Sequence, residues 1–178
     1  MKELLNKIPE NEIVALYFEN KDRFNCGEIV GMDNEFVALH SYTPYGFPDG
    51  YLLRRLSELS RVERGSKYLS ALGMLIRCNG GKSDDMLPLA GDLERAILEY
   101  SIAHNKVVSL GVDGSDELAI GRVETLGDET VNLRQYTDYG ESDGVSAFYL
   151  SDILSVSVDS EDEKKIAMLS AAYERSAE

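Results

Sequence analysis

Hydrophobic and polar positions along this chain follow two different periods, and the places where the period changes mark its elements. From Ile13 to Phe18 both alternating sets are apolar, the pattern of a strand buried on its two faces. Asn20-Lys21-Asp22 and Asp33-Asn34-Glu35 read as hairpin turns, because Asn and Asp tolerate left-handed backbone and bond their own chain. Strands are therefore expected near 12–19, 23–32, 35–43, 51–56 and 60–64. The link Leu56-Ser57-Glu58-Leu59 is too short for a hairpin loop and reads as one tight helical turn between the last two.

Helical spacing takes over outside that block. Tyr68, Leu69, Leu72, Leu75 and Ile76 form one apolar stripe, Leu89, Leu93, Ala96, Ile97 and Tyr100 a second, and Ile166, Leu169 and Tyr173 a third. Between the first two lies NGGKSDDMLP, whose glycines, charges and Pro88 suit a linker. The expected organisation is a first domain over 1–80, a linker over 81–88 and a second domain over 89–178.

The two domains are copies. Laying Val107 on Ile13, an offset of 94 residues, aligns 13–66 with 107–160 without a gap and gives about 17 identities, where chance would give a few. The strands repeat near 106–113, 117–126, 129–137, 145–150 and 154–158, and Leu150-Ser151-Asp152-Ile153 repeats the tight turn. The same offset lays MKELLNKI on RAILEYSI, so each strand set is preceded by its own helix and followed by another. Short, bent strands of this kind close into small barrels. The expected fold class is mainly β with flanking α-helices, as two tandem five-stranded small β-barrels.

Composition narrows the partners. The 178 residues carry 32 acidic against 18 basic side chains, a net charge of −14 that repels polyanions. The imbalance is uneven: the first copy holds six bases and eight acids, whereas Arg122 and Arg134 are the bases of the second. Any anion site is expected in the first half. No tract approaches a membrane span, and the start, MKELLNKIPE, has too short an apolar core for a signal peptide. With Cys26 and Cys78 far apart and without metal-ligand spacing, a reduced cytoplasm is the expected location.

The helix, the five strands and the segment GEIVGMDNEFVAL together resemble the Sm-like proteins, whose first signature combines Gly, apolar, Asp, aromatic and Leu positions. Gly27, Ile29, Asp33, Phe36 and Leu39 match it, as do Gly121, Val123, Asp128 (shifted by one) and Leu133 in the second copy. The resemblance covers both strand blocks and implies Sm-like barrels, which build rings by adding the fourth strand of one to the fifth of the next. It does not imply an RNA pocket. Val37 or Ala38 stands where RNA-binding relatives carry Asn, and Arg54-Arg55 replaces their Arg-Gly pair. The second copy has Asn132 near the first position but Phe148-Tyr149 at the second, and the Lys-His pair of the bacterial RNA chaperones is missing from both.

Two features carry candidate chemistry. Tyr42-Thr43-Pro44-Tyr45-Gly46-Phe47-Pro48-Asp49-Gly50 and Tyr136-Thr137-Asp138-Tyr139-Gly140-Glu141-Ser142-Asp143-Gly144 predict a structured loop between the third and fourth strands. Its tyrosines either cover a core edge or, through Tyr45 and Tyr139, stack on a flat ligand such as a base or a partner's side chain. Arg54, Arg55, Arg61 and Arg64, on strands expected to pair, either blunt a sheet edge against Glu58 and Glu63 or fork onto a phosphate or carboxylate. Neighbouring Arg54 and Arg55 point to opposite faces.

Catalysis has little to stand on. His40 and His104 have no histidine at the repeat-equivalent position, Cys26 lies on a strand, and Asp113-Gly114-Ser115-Asp116-Glu117 lacks calcium-loop spacing. The expectation is no catalytic residue, no cofactor and no metal. A non-enzymatic binding or assembly module for protein partners or self-association is expected, the alternative being an RNA-binding regulator using the basic first barrel.

Overall fold

The computed structural model describes residues 1–18, 23–81, 87, 89 and 91–176. The chain divides into two compact units, Met1–Leu93 and Glu94–Glu178. The expected turn at Asn20-Lys21-Asp22 and most of the linker, Pro88 included, lie outside the described residues.

In the first unit a short helix α1 (Lys2–Leu5) precedes β1 (Ile13–Tyr17), β2 (Asn25–Met32), β3 (Phe36–Tyr42), β4 (Pro48–Arg55), a single 3-10 turn (Leu56–Glu58), β5 (Arg61–Arg64) and α2 (Lys67–Cys78). In the second, α3 (Leu93–Ala103), whose first residue ends the first unit, leads into β6 (Val107–Val112), β7 (Ala119–Leu126), β8 (Thr130–Tyr136) and β9 (Ser142–Tyr149). A 3-10 turn (Leu150–Asp152), β10 (Ile153–Val158) and α4 (Glu161–Ser176) complete it. Within the first unit the strands lie in the order β5-β1-β2-β3-β4, and within the second β10-β6-β7-β8-β9, all antiparallel. The two stretches thus share one topology, element for element. The protein is mainly β with flanking helices.

The reason β1 is apolar on both faces is now visible. Val14 and Leu16 point into a core with Leu5, Phe18, Val37, Leu39 and Leu59. Ala15 and Tyr17 point the other way, onto Leu69 of α2, and Leu72 and Ile76 of that helix cover Tyr42. Burying Leu72, at 1% exposure, contributes about 2 kcal/mol by area. In the second unit Val107 and Tyr136 meet Ile166 of α4 in the same way. The leading helices also repeat a contact: Lys2 Nζ donates to Asn34 Oδ1 at 2.7 Å, and Arg95 donates to the carbonyls of Gly127 and Asp128, both at the tip of the second hairpin.

The signature residues have structural work. A Cβ on Gly27 would collide with the His40 carbonyl, and one on Gly121 with the Arg134 carbonyl, so only Gly lets β3 and β8 come this close. Asp33 Oδ1 accepts from the backbone N–H groups of Glu35 and Phe36, closing the β2–β3 turn.

Some boundaries differ from expectation. β4 and β9 begin three residues earlier than the 51 and 145 read from sequence, at Pro48 and Ser142. Asp49-Gly50 and Asp143-Gly144 therefore lie inside strands, not in the loop. Each pair bulges opposite one residue of the neighbouring strand, with φ +69° at Gly50 and +84° at Gly144. Leu89, read as part of the second helical stripe, precedes α3. Tyr68 and Leu75 of the first stripe flank the buried face and stay exposed.

Candidate functional site

The repeated Tyr-Thr-x-Tyr-Gly motif builds one rigid tip in each unit. Thr43 closes the first: its N–H donates to the Phe47 carbonyl at 2.9 Å, its hydroxyl accepts from Phe47 N–H at 3.2 Å, and its carbonyl accepts from Gly46 N–H at 2.9 Å. Thr137 does the same with Glu141 and Gly140. The glycine then docks the tip on the trailing helix. At Gly46, with φ +82°, a Cβ would lie 2.6 Å from Ile76 N, and at Gly140, with φ +80°, 2.8 Å from Ser170 N and against Leu169 Cβ. Leu75 and Ile76 are the repeat equivalents of Leu169 and Ser170, so both tips press on the same turn of their helices. Side-chain-free, left-handed backbone is what both demands require.

This geometry splits the tyrosines into two roles. Tyr42 and Tyr136 are buried, covering the core under α2 and α4. Tyr45 and Tyr139 stand at the tips with 74% and 73% of their surface exposed. Asn79 of α2 supports the first tip by donating to the Tyr45 carbonyl at 2.8 Å. Asp143 is exposed on β9, and Asp49 is half-buried on β4 with its polar group engaged.

The four arginines lie on two strands that do not pair with each other. Among the described residues β4 pairs with β3 and β5 with β1 inside the unit, so β4 and β5, joined through the 3-10 turn, do not make the expected pairing with each other. Each guanidinium meets a carboxylate: Arg54 with Glu58 at 3.0 Å, Arg55 with Glu35 at 3.0 Å, Arg61 with Glu63 at 3.3 Å, and Arg64 with both oxygens of Glu12 at 2.8 and 2.6 Å. Three also cover rings, Arg54 over Phe18, Arg55 over Phe36 and Arg61 over Tyr17. The two-pronged bond from Arg64 holds the Glu12 carboxyl below its ordinary range.

Sequence reasoning passed over the position beside the buried tyrosines. Residue 28 is a buried Glu in the first unit, and its equivalent in the second is Arg122. Arg122 Nη1 donates to the Tyr136 hydroxyl at 2.6 Å and to Ser170 Oγ at 3.3 Å. The Tyr42 hydroxyl has no hydrogen-bond partner among the described residues, and burial followed by the Glu28 charge pushes its pKa up to about 12. His40 is paired with Glu28 in register and stacks on Tyr51 at 5.0 Å, in the buried polar patch around Tyr42. The signal was present in the repeat alignment as a Glu-to-Arg reversal at otherwise matched positions.

Cys26 is half-buried, and burial raises its thiol pKa, so it is protonated at neutral pH. His104 is exposed at the end of α3, its ring against Tyr100. Among the described residues no three His, Cys, Asp or Glu side chains gather as a metal site. None of the described helices is long and apolar enough to cross a membrane. No family model, curated protein or solved structure matches this chain.

Proposed function

We propose that this protein is a non-enzymatic binding or assembly module of the cytoplasm, built from two Sm-like small barrels, that joins protein partners or copies of itself. The observation that carries this reading is the repeated strand order with outer strands at its ends. Among the described residues β5 bonds to β1 alone and β9 to β8 alone, which leaves a row of backbone donors and acceptors on each. Such edges take an added strand readily. β9 also turns Val145 and Tyr149 outward at 57% and 61% exposure, whereas the equivalent Tyr51 of β4 is buried. Carboxylates already engage Arg54, Arg55, Arg61 and Arg64, which favours protein partners over RNA.

Light scattering tests the reading. The wild-type chain is expected to exceed its 19.8 kDa monomer mass at tens of micromolar, or to do so with a captured protein partner. A Val145→Lys/Tyr149→Lys variant is expected to return to the monomer, because like charges on an edge oppose strand addition. A monomeric wild type that retains salt-sensitive RNA, lost when Arg54, Arg55, Arg61 and Arg64 are reversed to Glu, would instead establish the RNA-binding alternative.

A further inference from the structure

We infer that the tip of the second unit, Tyr139 with its acidic rim, receives an arginine or lysine side chain from a basic segment of a different protein. This rests on the interaction-module reading and names a surface and a partner chemistry for it.

Tyr139 is presented, not merely exposed. The Thr137 hydrogen bonds and the contact of Gly140 with α4 hold its backbone, so little conformational entropy remains to be lost on binding. The same presentation recurs at Tyr45, although the residues on either side of the two tips differ. The repeat equivalent of Asn79 is Tyr173, one helical turn beyond the Leu169–Ser170 contact in sequence and 49% exposed.

Charge selects what can meet them. From Gln135 to Asp152 there is no Lys or Arg, and Asp138 and Glu141 are exposed on either side of Tyr139. The first tip, Pro44-Tyr45-Gly46-Phe47-Pro48, carries no charge on the same scaffold. An aromatic face rimmed by carboxylates attracts a cation twice, through the ring quadrupole and through Coulomb attraction. This chain already uses the pairing internally, most closely with Arg61 Cζ 3.6 Å from the Tyr17 centroid. Among the described residues no arginine covers Tyr139. A second copy is a poor occupant, since each brings a net charge of −14. Nucleic acid is repelled by the same rim.

The probe is a fluorescently labelled 12-residue peptide alternating Arg and Ser, compared with its Gln-Ser and Glu-Ser counterparts by fluorescence anisotropy on the full chain. The arginine peptide alone is expected to bind. Tyr139→Ala should weaken it by roughly 5- to 30-fold, Tyr139→Phe should leave it nearly unchanged, and Asp138→Asn/Glu141→Gln should weaken it and flatten its salt dependence. Tyr45→Ala, at the uncharged tip, should have no effect. Equal binding to wild type and Tyr139→Ala, or no binding of the arginine peptide, would overturn the inference. The oligomeric mass of the same preparation, read separately, decides the assembly reading, so the two can fail independently.

Discussion

The two units use one backbone plan and opposite chemistry where the trailing helix meets the sheet. In the first, Leu69 packs on Ala15 and Tyr17 in an apolar contact. In the second, the equivalent of Leu69 is Glu163, buried to 3% exposure, and the equivalent of Ala15 is Ser109. Glu163 accepts from Ser109 Oγ at 2.5 Å, Ser157 Oγ at 3.2 Å and the Ser160 N–H at 2.9 Å, so its charge is met from three sides. The last bond makes it the return half of a helix capping box. In the first unit Ser66 still caps α2, accepting from the Leu69 N–H at 3.3 Å. A buried helix–sheet contact thus tolerates either an apolar filler or a fully bonded carboxylate, provided that the neighbouring positions change with it.

Exchanging one residue without its neighbours should break the comparison hardest. Leu69→Glu places a carboxylate against Ala15 and Tyr17 with no matching hydroxyls, and is expected to cost about 4 kcal/mol in urea unfolding. Glu163→Leu should cost about 2 kcal/mol, from the unpaired Ser109 and Ser157 hydroxyls and the lost Ser160 bond, and Ser109→Ala should recover part of it. Equal losses from the two single exchanges would show that the neighbouring positions do not matter.

A smaller effect separates the buried tyrosines. Tyr136→Phe removes one of the acceptors of Arg122 and should cost about 1 kcal/mol, whereas Tyr42→Phe removes a hydroxyl with no partner among the described residues and should be neutral or slightly stabilising. Tyr42 also predicts an alkaline limit. Its folded pKa of about 12 exceeds the usual 10, so its contribution is intact below pH 10 and fades as pH rises toward 12. Tyr42→Phe should reduce that alkaline loss, which denaturation at pH 9 and 11 would read.

The smallest effect belongs to the surface pair Glu12–Arg64. The Glu12 carboxyl sits below its usual 4.5, so its contribution is present above that pH and is lost as pH falls through the folded value. Carboxyl NMR titration should find the Glu12 midpoint under 4.5, returning to it in Arg64→Gln.

Much of this was legible along the chain. The two-sided apolar run Ile13–Phe18 marked β1 as a strand buried on both faces, because such a strand leaves no polar alternation. The offset of 94 residues carried every strand from one unit to the other. What misled was local: Asp49-Gly50 has the composition of a turn, yet a bulge needs the same left-handed glycine, and only the partner strand distinguishes the two. The arginines of β4 and β5 lie close in sequence, but β4 bonds to β3 and β5 to β1, a choice that the strand order makes and local sequence does not.

By itself the sequence determined the periodicities, the duplication and the acidic balance, since these depend on residue type and spacing alone. Which tyrosine of each pair is buried, which carboxylate answers each arginine and which strands lie outermost were decided by the tertiary structure. Those outcomes depend on what the folded chain brings alongside each side chain, and residues far apart in sequence, such as Glu12 with Arg64 or Gly46 with Ile76, supply it.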